Sequence, residues 1–423
     1  MQIETLRTSM KKPSKILLLD GGISTELEKS LAARGSGTSN DDDDDDDDDS
    51  GACIHTSTAP VKFPDRNLWS SSLLLSHKGR LDIQSRHENF LAAGSNIITT
   101  VTYQLSHFAT RFGYTEEQID DLLLIAIHQA KAAAASFHDH DHDHAKPKGV
   151  DEKTFIVASI GCYGAVLADG SEYTGDYQLS VDDLIQFHQR RLEVLSRESN
   201  QIDGIAFETI PSLIEVRAIL KLLKLKTKTK TKPRPKQDEG ASSRSGCNRD
   251  VNGAVWLSLA CQNGSTLNDG TSISEVLQVL DLEDPNSDIV HGIGVNCCKV
   301  GFVHELSLLL ARHILDTRTS TIRDSDIKNL NPKAIRTIVL YPNSGEDWDA
   351  VNNCWEEGSG CTIAEDFANE MLRCIRSIHN LCREMDRPLL PVIVGGCCRT
   401  TPSTIWEMRR KLNQYACDEE FIK

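Results

Sequence analysis

The sequence predicts an α/β fold, a single (β/α)8 barrel of the TIM type, on three observations. Short apolar runs rich in Val, Ile and Leu recur eight times, and longer stretches with helical periodicity separate them. Near-continuous apolar runs fit strands buried on both faces. Strand alternating with helix implies a parallel sheet closed on itself. An open doubly wound sheet is the structural alternative, but no Gly-rich dinucleotide fingerprint follows the first run.

The expected strands span 16–19, 96–100, 155–160, 204–207, 254–259, 289–295, 335–340 and 391–394. Helical patterns cover 120–135, 181–198, 212–225, 274–280, 303–315 and 363–385. Three low-complexity inserts interrupt this rhythm, at about 35–58, 137–150 and 226–250. The first is Gly/Ser followed by the poly-Asp tract 41–49, the second alternates His and Asp, and the third runs Lys-Thr into Pro-Arg-Pro. Like charges repel and little apolar surface is available to bury, so all three are expected as disordered surface loops. The His/Asp tract is read as expanded low complexity rather than a metal site. Residues 1–14 and 416–423 are expected as tails, which leaves the barrel at 15–415.

The chain has 423 residues, 39% hydrophobic and 26% charged, with a formal net charge of −16. The poly-Asp tract supplies nine of those charges and leaves a balance of −7. Mild acidity without a basic stripe argues against a nucleic-acid partner. No apolar run approaches the ~18 residues of a membrane span. The first fourteen residues are polar and lack the apolar core of a secretory signal. Thirteen cysteines without such a signal read as reduced thiols in the cytoplasm, put to metal or catalytic use rather than a disulfide framework. No obligate protein partner is evident.

Function in such a barrel gathers at the C-terminal ends of the strands. There the chain carries Asp20-Gly21-Gly22, Thr99-Thr100 running on to Tyr103-Gln104, Gly161-Cys162, Glu208-Thr209, Cys261-Gln262, Asn296-Cys297, Tyr341-Pro342-Asn343 and Gly396-Cys397-Cys398. Two cysteine motifs stand out, Gly294-Val295-Asn296-Cys297-Cys298 and Gly395-Gly396-Cys397-Cys398-Arg399. Only a closed fold brings them together. Three thiolates meeting at one point make a zinc site with its fourth position open, the arrangement of catalytic zinc. A substrate thiol would fill that position and be deprotonated there, whereas a free thiol has a pKa near ~8.5. No catalytic side chain beyond the metal site is then required. Adjacent residues of a strand point to opposite faces, so Cys397 and Cys398 reach one ion only if the chain leaves strand geometry, which Gly395-Gly396 permits. The third thiol is Cys297 or Cys298; Cys297 is expected as the first residue beyond its strand. If the substrate is an amino-acid thiol, Asp20 and Glu208 are the candidates for its ammonium. The N–H groups of Gly21 and Gly22 would meet its carboxylate.

These residues resemble the homocysteine S-methyltransferases, the cobalamin-independent branch that uses S-methylmethionine or S-adenosylmethionine. The matching segments are 18–27, 68–71, 87–94, 99–104, 161–177, 207–211, 294–297, 341–346 and 395–398, in order along the chain. The resemblance implies one Zn2+ per chain held by Cys297, Cys397 and Cys398. It implies homocysteine bound to zinc through sulfur and to Asp20 and Glu208 through its amino group. Gly21, Gly22, Thr100, Tyr103, Asn296, Tyr341 and Asn343 would complete the pocket. The expected reaction moves a methyl group from S-methylmethionine, or from S-adenosylmethionine, to zinc-bound homocysteine thiolate and makes methionine. Segment 165–177 would help form the mouth and the donor site. Cys162 departs from the pattern by replacing a proline, and it is read as a bystander thiol. The alternatives are a methyltransferase for selenocysteine or another thiol, a betaine-dependent enzyme that fits segment 169–173 less well, and a non-catalytic zinc- or redox-sensing protein.

Overall fold

The computed structural model describes residues 5–35, 63–65, 67–139, 153–167, 169–228, 253–316, 336–346, 348–349, 354–355 and 358–421. Eight parallel strands form the barrel: β1 (Ile16–Leu18), β2 (Ile97–Thr99), β3 (Phe155–Gly161), β4 (Gly204–Ile210), β5 (Ala254–Leu259), β6 (Gly292–Lys299), β7 (Thr337–Asn343) and β8 (Val392–Val394). Their order around the sheet is β1-β8-β7-β6-β5-β4-β3-β2. A parallel bridge from Leu19 to Ile97 joins the two edges. The helices outside are α2 (Ile23–Gly35), α3 (His77–Ala92), α4 (Glu116–Asp139), α5 (Tyr163–Leu167), α6 (Val181–Arg197), α7 (Leu213–Lys228), α8 (Ile273–Glu283), α9 (Val300–Asp316), α10 (Ala364–Glu384) and α11 (Pro402–Phe421). No helix among the described residues is long and apolar enough to cross a membrane.

The expected inserts at 35–58, 137–150 and 226–250 lie outside the described residues apart from their edges. Those edges are helical: residue 35 ends α2, 137–139 end α4 and 226–228 end α7. Residues 6–9, expected within a tail, form the short helix α1 (Leu6–Ser9), capped by the Thr5 side chain on the Thr8 N–H.

The strands sort their side chains with period two. Leu17, Ile97, Phe155, Val157, Ala206, Ala254, Trp256, Val339 and Ile393 pack together inside the barrel, joined from below by Leu6 and Met10. Their neighbours Leu18, Ile98, Ile156, Ile205, Val255, Ile338 and Val392 belong to the larger core between sheet and helices. Glycines make room for the plug: a Cβ at Gly204 would lie 3.3 Å from Leu6 Cδ2, and one at Gly292 would lie 3.0 Å from Met10 Cε. Apolar packing therefore fills the lower barrel. Continued upward, the same alternation aims Ser159, Glu208, Asn296 and Tyr341 into the upper barrel, where they line a cleft.

The seam between β1 and β2 is thin in backbone bonds. Asn96 N–H donates to the Leu18 carbonyl at 2.7 Å, and the Asn96 Oδ1 accepts from Leu18 N–H at 3.0 Å. The buried Arg409 of α11 donates to the same oxygen at 2.6 Å and to the Gly94 carbonyl. A side chain thus completes a ladder that two short strands cannot.

Leu6 is fully buried at the barrel floor, far from the cleft-lining residues in the alternation. Leu6→Ala should cost ~2–4 kcal/mol, the usual range for a truncated core leucine. Denaturant unfolding checks this, and a loss below ~0.5 kcal/mol would mean the plug does not support the barrel.

Candidate functional site

The cleft at the C-terminal ends of the strands has about 640 Å³ of empty space, part of it open to solvent, and is lined by residues of β2, β3, β4, β6 and β7 and of the segments that follow β1, β2 and β8. Cys297, Cys397 and Cys398 meet on one side of it, their sulfurs all within 4.8 Å of one another. Cys398 Sγ lies 3.9 Å from Cys297 Sγ and 4.0 Å from Cys397 Sγ, while Cys297 and Cys397 are joined as a disulfide. Cys297 was expected just beyond its strand; it lies within β6 instead. The strand accommodates it by a register shift between Asn296 and Lys299 and a positive φ of 49° at Cys297. That kink breaks the alternation and turns the Cys297 sulfur into the cleft. Cys298 points the other way and is buried in the outer core, so the choice between the two falls on Cys297. Cys162 is likewise a buried member of that outer core and stands apart from the cluster. On β8, the chain leaves the sheet after Val394, as the Gly395-Gly396 pair suggested. Both glycines are sterically required: a Cβ would lie 2.6 Å from Leu19 Cβ at Gly395 and 2.2 Å from Thr400 Oγ1 at Gly396.

Burial pushes the Cys398 thiol up to about 11, so a neutral thiol is its resting form unless a cation stands beside it. Three sulfurs converging on one point are a donor set suited to a soft metal ion.

The other expected residues divide into walls and supports. Asp20, Thr100, Tyr103, Glu208 and Tyr341 line the cleft. Asp20 is held by Thr99, whose N–H donates to Oδ2 at 2.7 Å. Glu208 accepts from Tyr341 Oη at 3.0 Å and from the Ser159 hydroxyl. Thr100 Oγ1 meets Thr102 Oγ1 at 2.7 Å and accepts from Ser159 N–H at 3.1 Å. Asn296 also borders the cleft, but both ends of its amide are taken: Oδ1 accepts from Thr209 N–H at 2.7 Å and Nδ2 donates to Thr209 Oγ1 at 2.8 Å. It pins Thr209 at a φ of 58°, directly after Glu208. Asn343 is not among the cleft-lining residues; its Nδ2 donates to the Cys297 carbonyl at 3.3 Å. The Gly22 N–H, expected to meet a substrate carboxylate, already donates to the Thr400 carbonyl and to Thr400 Oγ1, each at 3.1 Å. Gly21 and Gly22 line the cleft and allow close approach of two loops: a Cβ on Gly22 would stand 2.5 Å from the Cys397 carbonyl oxygen. Ser159, Thr99 and Trp69 were missed as site residues. Two of them were readable by counting inward positions along β2 (Ile97, Thr99) and β3 (Phe155, Val157, Ser159). Trp69 lies in a 3-10 turn, Trp69–Leu75, whose orientation no periodicity gives.

The family model described as homocysteine S-methyltransferase matches residues 17–412. Homocysteine S-methyltransferase 2 of Zea mays is 30% identical over 402 residues, covering 94% of this chain and 90% of the relative. Homocysteine S-methyltransferase 2 of Arabidopsis thaliana is 30% identical over 82% of this chain and 86% of the relative. The selenocysteine methyltransferase of Astragalus bisulcatus is 28% identical over 80% and 84%. Among solved structures, the homocysteine methyltransferase MmuM from Escherichia coli in its oxidized form superposes with a TM-score of 0.61 and 24% identity, covering 94% of this chain and 96% of that one. Its metallated form superposes at 0.60 with 22% identity. These structures share the barrel fold.

Two buried carboxyls face one cleft, and no Lys or Arg is among the described residues that line it. Burial raises Asp20 from 3.8 to about 8, against the opposing Thr99 hydrogen bonds, and the Glu208 charge adds to the rise. Burial also raises Glu208, opposed by its bonds from Ser159 and Tyr341. A carboxyl whose pKa rises on folding destabilises the fold increasingly as pH climbs from its unfolded to its folded value. For Asp20 that window runs from about 4 to about 8. Asp20→Asn keeps the acceptor for Thr99 and removes the charge. In metal-free protein it should therefore raise the denaturant midpoint at pH 8 and leave it nearly unchanged at pH 4. An equal gain at both values would mean that charge burial is not the cause.

Proposed function

Because the chain belongs to the homocysteine S-methyltransferase family, we propose that it methylates homocysteine at sulfur from a sulfonium donor, S-methylmethionine in the first place and S-adenosylmethionine in the second. The chain is a methyltransferase by that membership. The observation that carries the finer reading is the convergence of three cysteine sulfurs beside two buried carboxyls in one cleft.

Zn2+ is the metal that this donor set fits best. Three thiolates about 2.3 Å from one tetrahedral ion would stand about 3.8 Å apart, close to the 3.9 Å and 4.0 Å separations of Cys398 from its two neighbours. With the Cys297–Cys397 bond reduced, Cys297, Cys397 and Cys398 would hold the ion. A zinc ion there supplies the Lewis acidity that makes a substrate thiol ionise at neutral pH.

The chain's own residues then do the positioning. Asp20 and Glu208 receive the homocysteine ammonium, which restores the charge that burial disfavours in both. Thr99 on one carboxylate, and Ser159 with Tyr341 on the other, fix the direction in which each accepts. Tyr103 and Trp69, with ring centroids 6.5 Å apart, wall the cleft and limit water. The homocysteine sulfur attacks the methyl carbon, the bond from that carbon to the sulfonium breaks, and its electron pair stays on the departing sulfur as a neutral thioether. No general acid is needed for that departure. Alignment of the two sulfurs and the methyl carbon supplies much of the acceleration. A cluster of thiols that must stay reduced fits a reducing compartment such as the cytoplasm.

Selenocysteine is the second acceptor to test, favoured by the selenocysteine methyltransferase relative. Reduced, zinc-loaded protein assayed with homocysteine and each donor in turn should make methionine, fastest with S-methylmethionine. Cys397→Ala should lose bound zinc and drop turnover by about a thousandfold or more, equal to ~4 kcal/mol or more of barrel-held transition-state stabilisation. Turnover that survives complete metal removal would overturn the mechanism, and a higher kcat/KM on selenocysteine would reassign the acceptor.

A further inference from the structure

The sulfurs come from β6 and β8, and β7 lies between those strands in the sheet. Neighbouring strands stand about 4.8 Å apart, so strands two places apart are about 10 Å apart. The Cα atoms of Cys297 and Cys397 are 5.6 Å apart, a span their disulfide imposes. With that bond reduced, as metal binding requires, contacts over the end of β7 remain to hold the two loops together.

The turn that leaves β7 touches both. Asn343 Nδ2 donates to the Cys297 carbonyl at 3.3 Å, while Asn343 Oδ1 accepts from Gly345 N–H at 2.9 Å. Gly345 has a φ of 82°, the left-handed conformation such a tight turn uses. Ser344 N–H donates to the Cys398 carbonyl at 3.3 Å, and Cys397 N–H donates to the Pro342 carbonyl at 2.8 Å. Glu346 then grips the residue after Cys398: its carboxylate receives Arg399 Nε at 2.9 Å and Nη2 at 2.8 Å. Ser344 Oγ fixes that carboxylate from behind at 2.6 Å. The Glu346 side chain is only 6% exposed and that of Arg399 37%, so the pair is shielded on its carboxylate side alone. Arg399 itself has a φ of 68° and donates its N–H to Thr25 Oγ1 at 3.0 Å, which ties in the first turn of α2.

The geometry points to the 343–346 turn as a bracket that sets the spacing of the thiol cluster, with Glu346–Arg399 as its clamp. Both are positioning residues for the metal, and the inference rests on the metal reading given above. The bidentate pair fixes the direction of the Arg399 backbone and so the exit angle of Cys398. Without it Cys398 loses its aim, and two thiols hold an ion less well than three. Outer partners of metal ligands typically contribute 10–100-fold in affinity.

The test uses full-length, reduced, zinc-loaded protein. Zinc release into a chromogenic chelator is timed for wild type, Glu346→Gln, Arg399→Lys and the exchanged pair Glu346→Arg with Arg399→Glu. A bracket predicts release at least about tenfold faster in both single variants and slower again in the exchanged pair. The metal-free unfolding midpoints should stay together, which a merely structural role would not allow. Cobalt-loaded Glu346→Gln should show a weaker sulfur-to-metal charge-transfer band, since one thiolate drops away. Release rates and bands equal to wild type would overturn the bracket and leave the three-thiol site standing. A wild type that retains no metal would bring down the metal reading and this inference together. Should Glu346→Gln fail to fold, Arg399→Lys decides alone, since it keeps the charge and loses the bidentate grip.

Discussion

Everything in the upper barrel depends on forcing two loops to meet across an intervening strand. A parallel sheet holds β6 and β8 about two strand spacings apart, and a barrel of regular strands would leave their sulfurs out of reach of a common ion. The chain solves this with local irregularities rather than a new element. A register shift and a positive φ bend β6 at Cys297, and paired glycines release β8 from the sheet at Gly395. The turn after β7 fills the gap and hydrogen-bonds to each side. Backbone strain at Cys297, Thr209 and Arg399 gathers around this one region, where the surrounding bonds over-determine it.

The cleft is built from a second tension. Asp20 and Glu208 are buried carboxyls with no Lys or Arg among the described residues that line their cleft, and each is pushed toward its neutral form. Such a pair lowers the stability of an empty site and becomes favourable only when a positive group arrives. Cys398 follows the same logic: burial favours its neutral thiol, and a cation beside it would favour the thiolate. The site is therefore electrostatically incomplete by itself, and that incompleteness supports the proposed occupants, an ammonium at one end and a soft cation at the other.

Much of this was legible in the residues. The eight strands and their order were readable because Val, Ile and Leu runs buried on both faces leave an unmistakable rhythm, and the two glycine-cysteine motifs marked the cluster. What escaped was decided by backbone hydrogen bonds that no residue type announces. β6 begins at Gly292 rather than 289, since the N–H groups of Ile289 and Val290 donate to the Asp284 carboxylate instead of to a neighbouring strand. The Gly22 N–H looks free in sequence but is claimed by Thr400, 378 residues away. The resemblance offered Asn296 and Asn343 as substrate contacts; in the fold the Asn296 amide bonds Thr209, and that of Asn343 bonds the Cys297 carbonyl and Gly345 N–H. The opening helix read as a tail because four residues carry no period.

The narrow seam of the ring has a bearing on ligand capture. Asp20 follows β1 and Thr99 ends β2, so the hydrogen bonds between them lie across the place where few backbone pairs hold the cylinder shut. One carboxylate is thus both a stitch in the wall and a partner for whatever enters. An arriving positive charge would fix that carboxylate in its ionised form, the better acceptor for Thr99, and so draw the stitch tighter. The charge state of one carboxylate and the strength of one stitch in the wall are thereby linked at the edge where β1 meets β2.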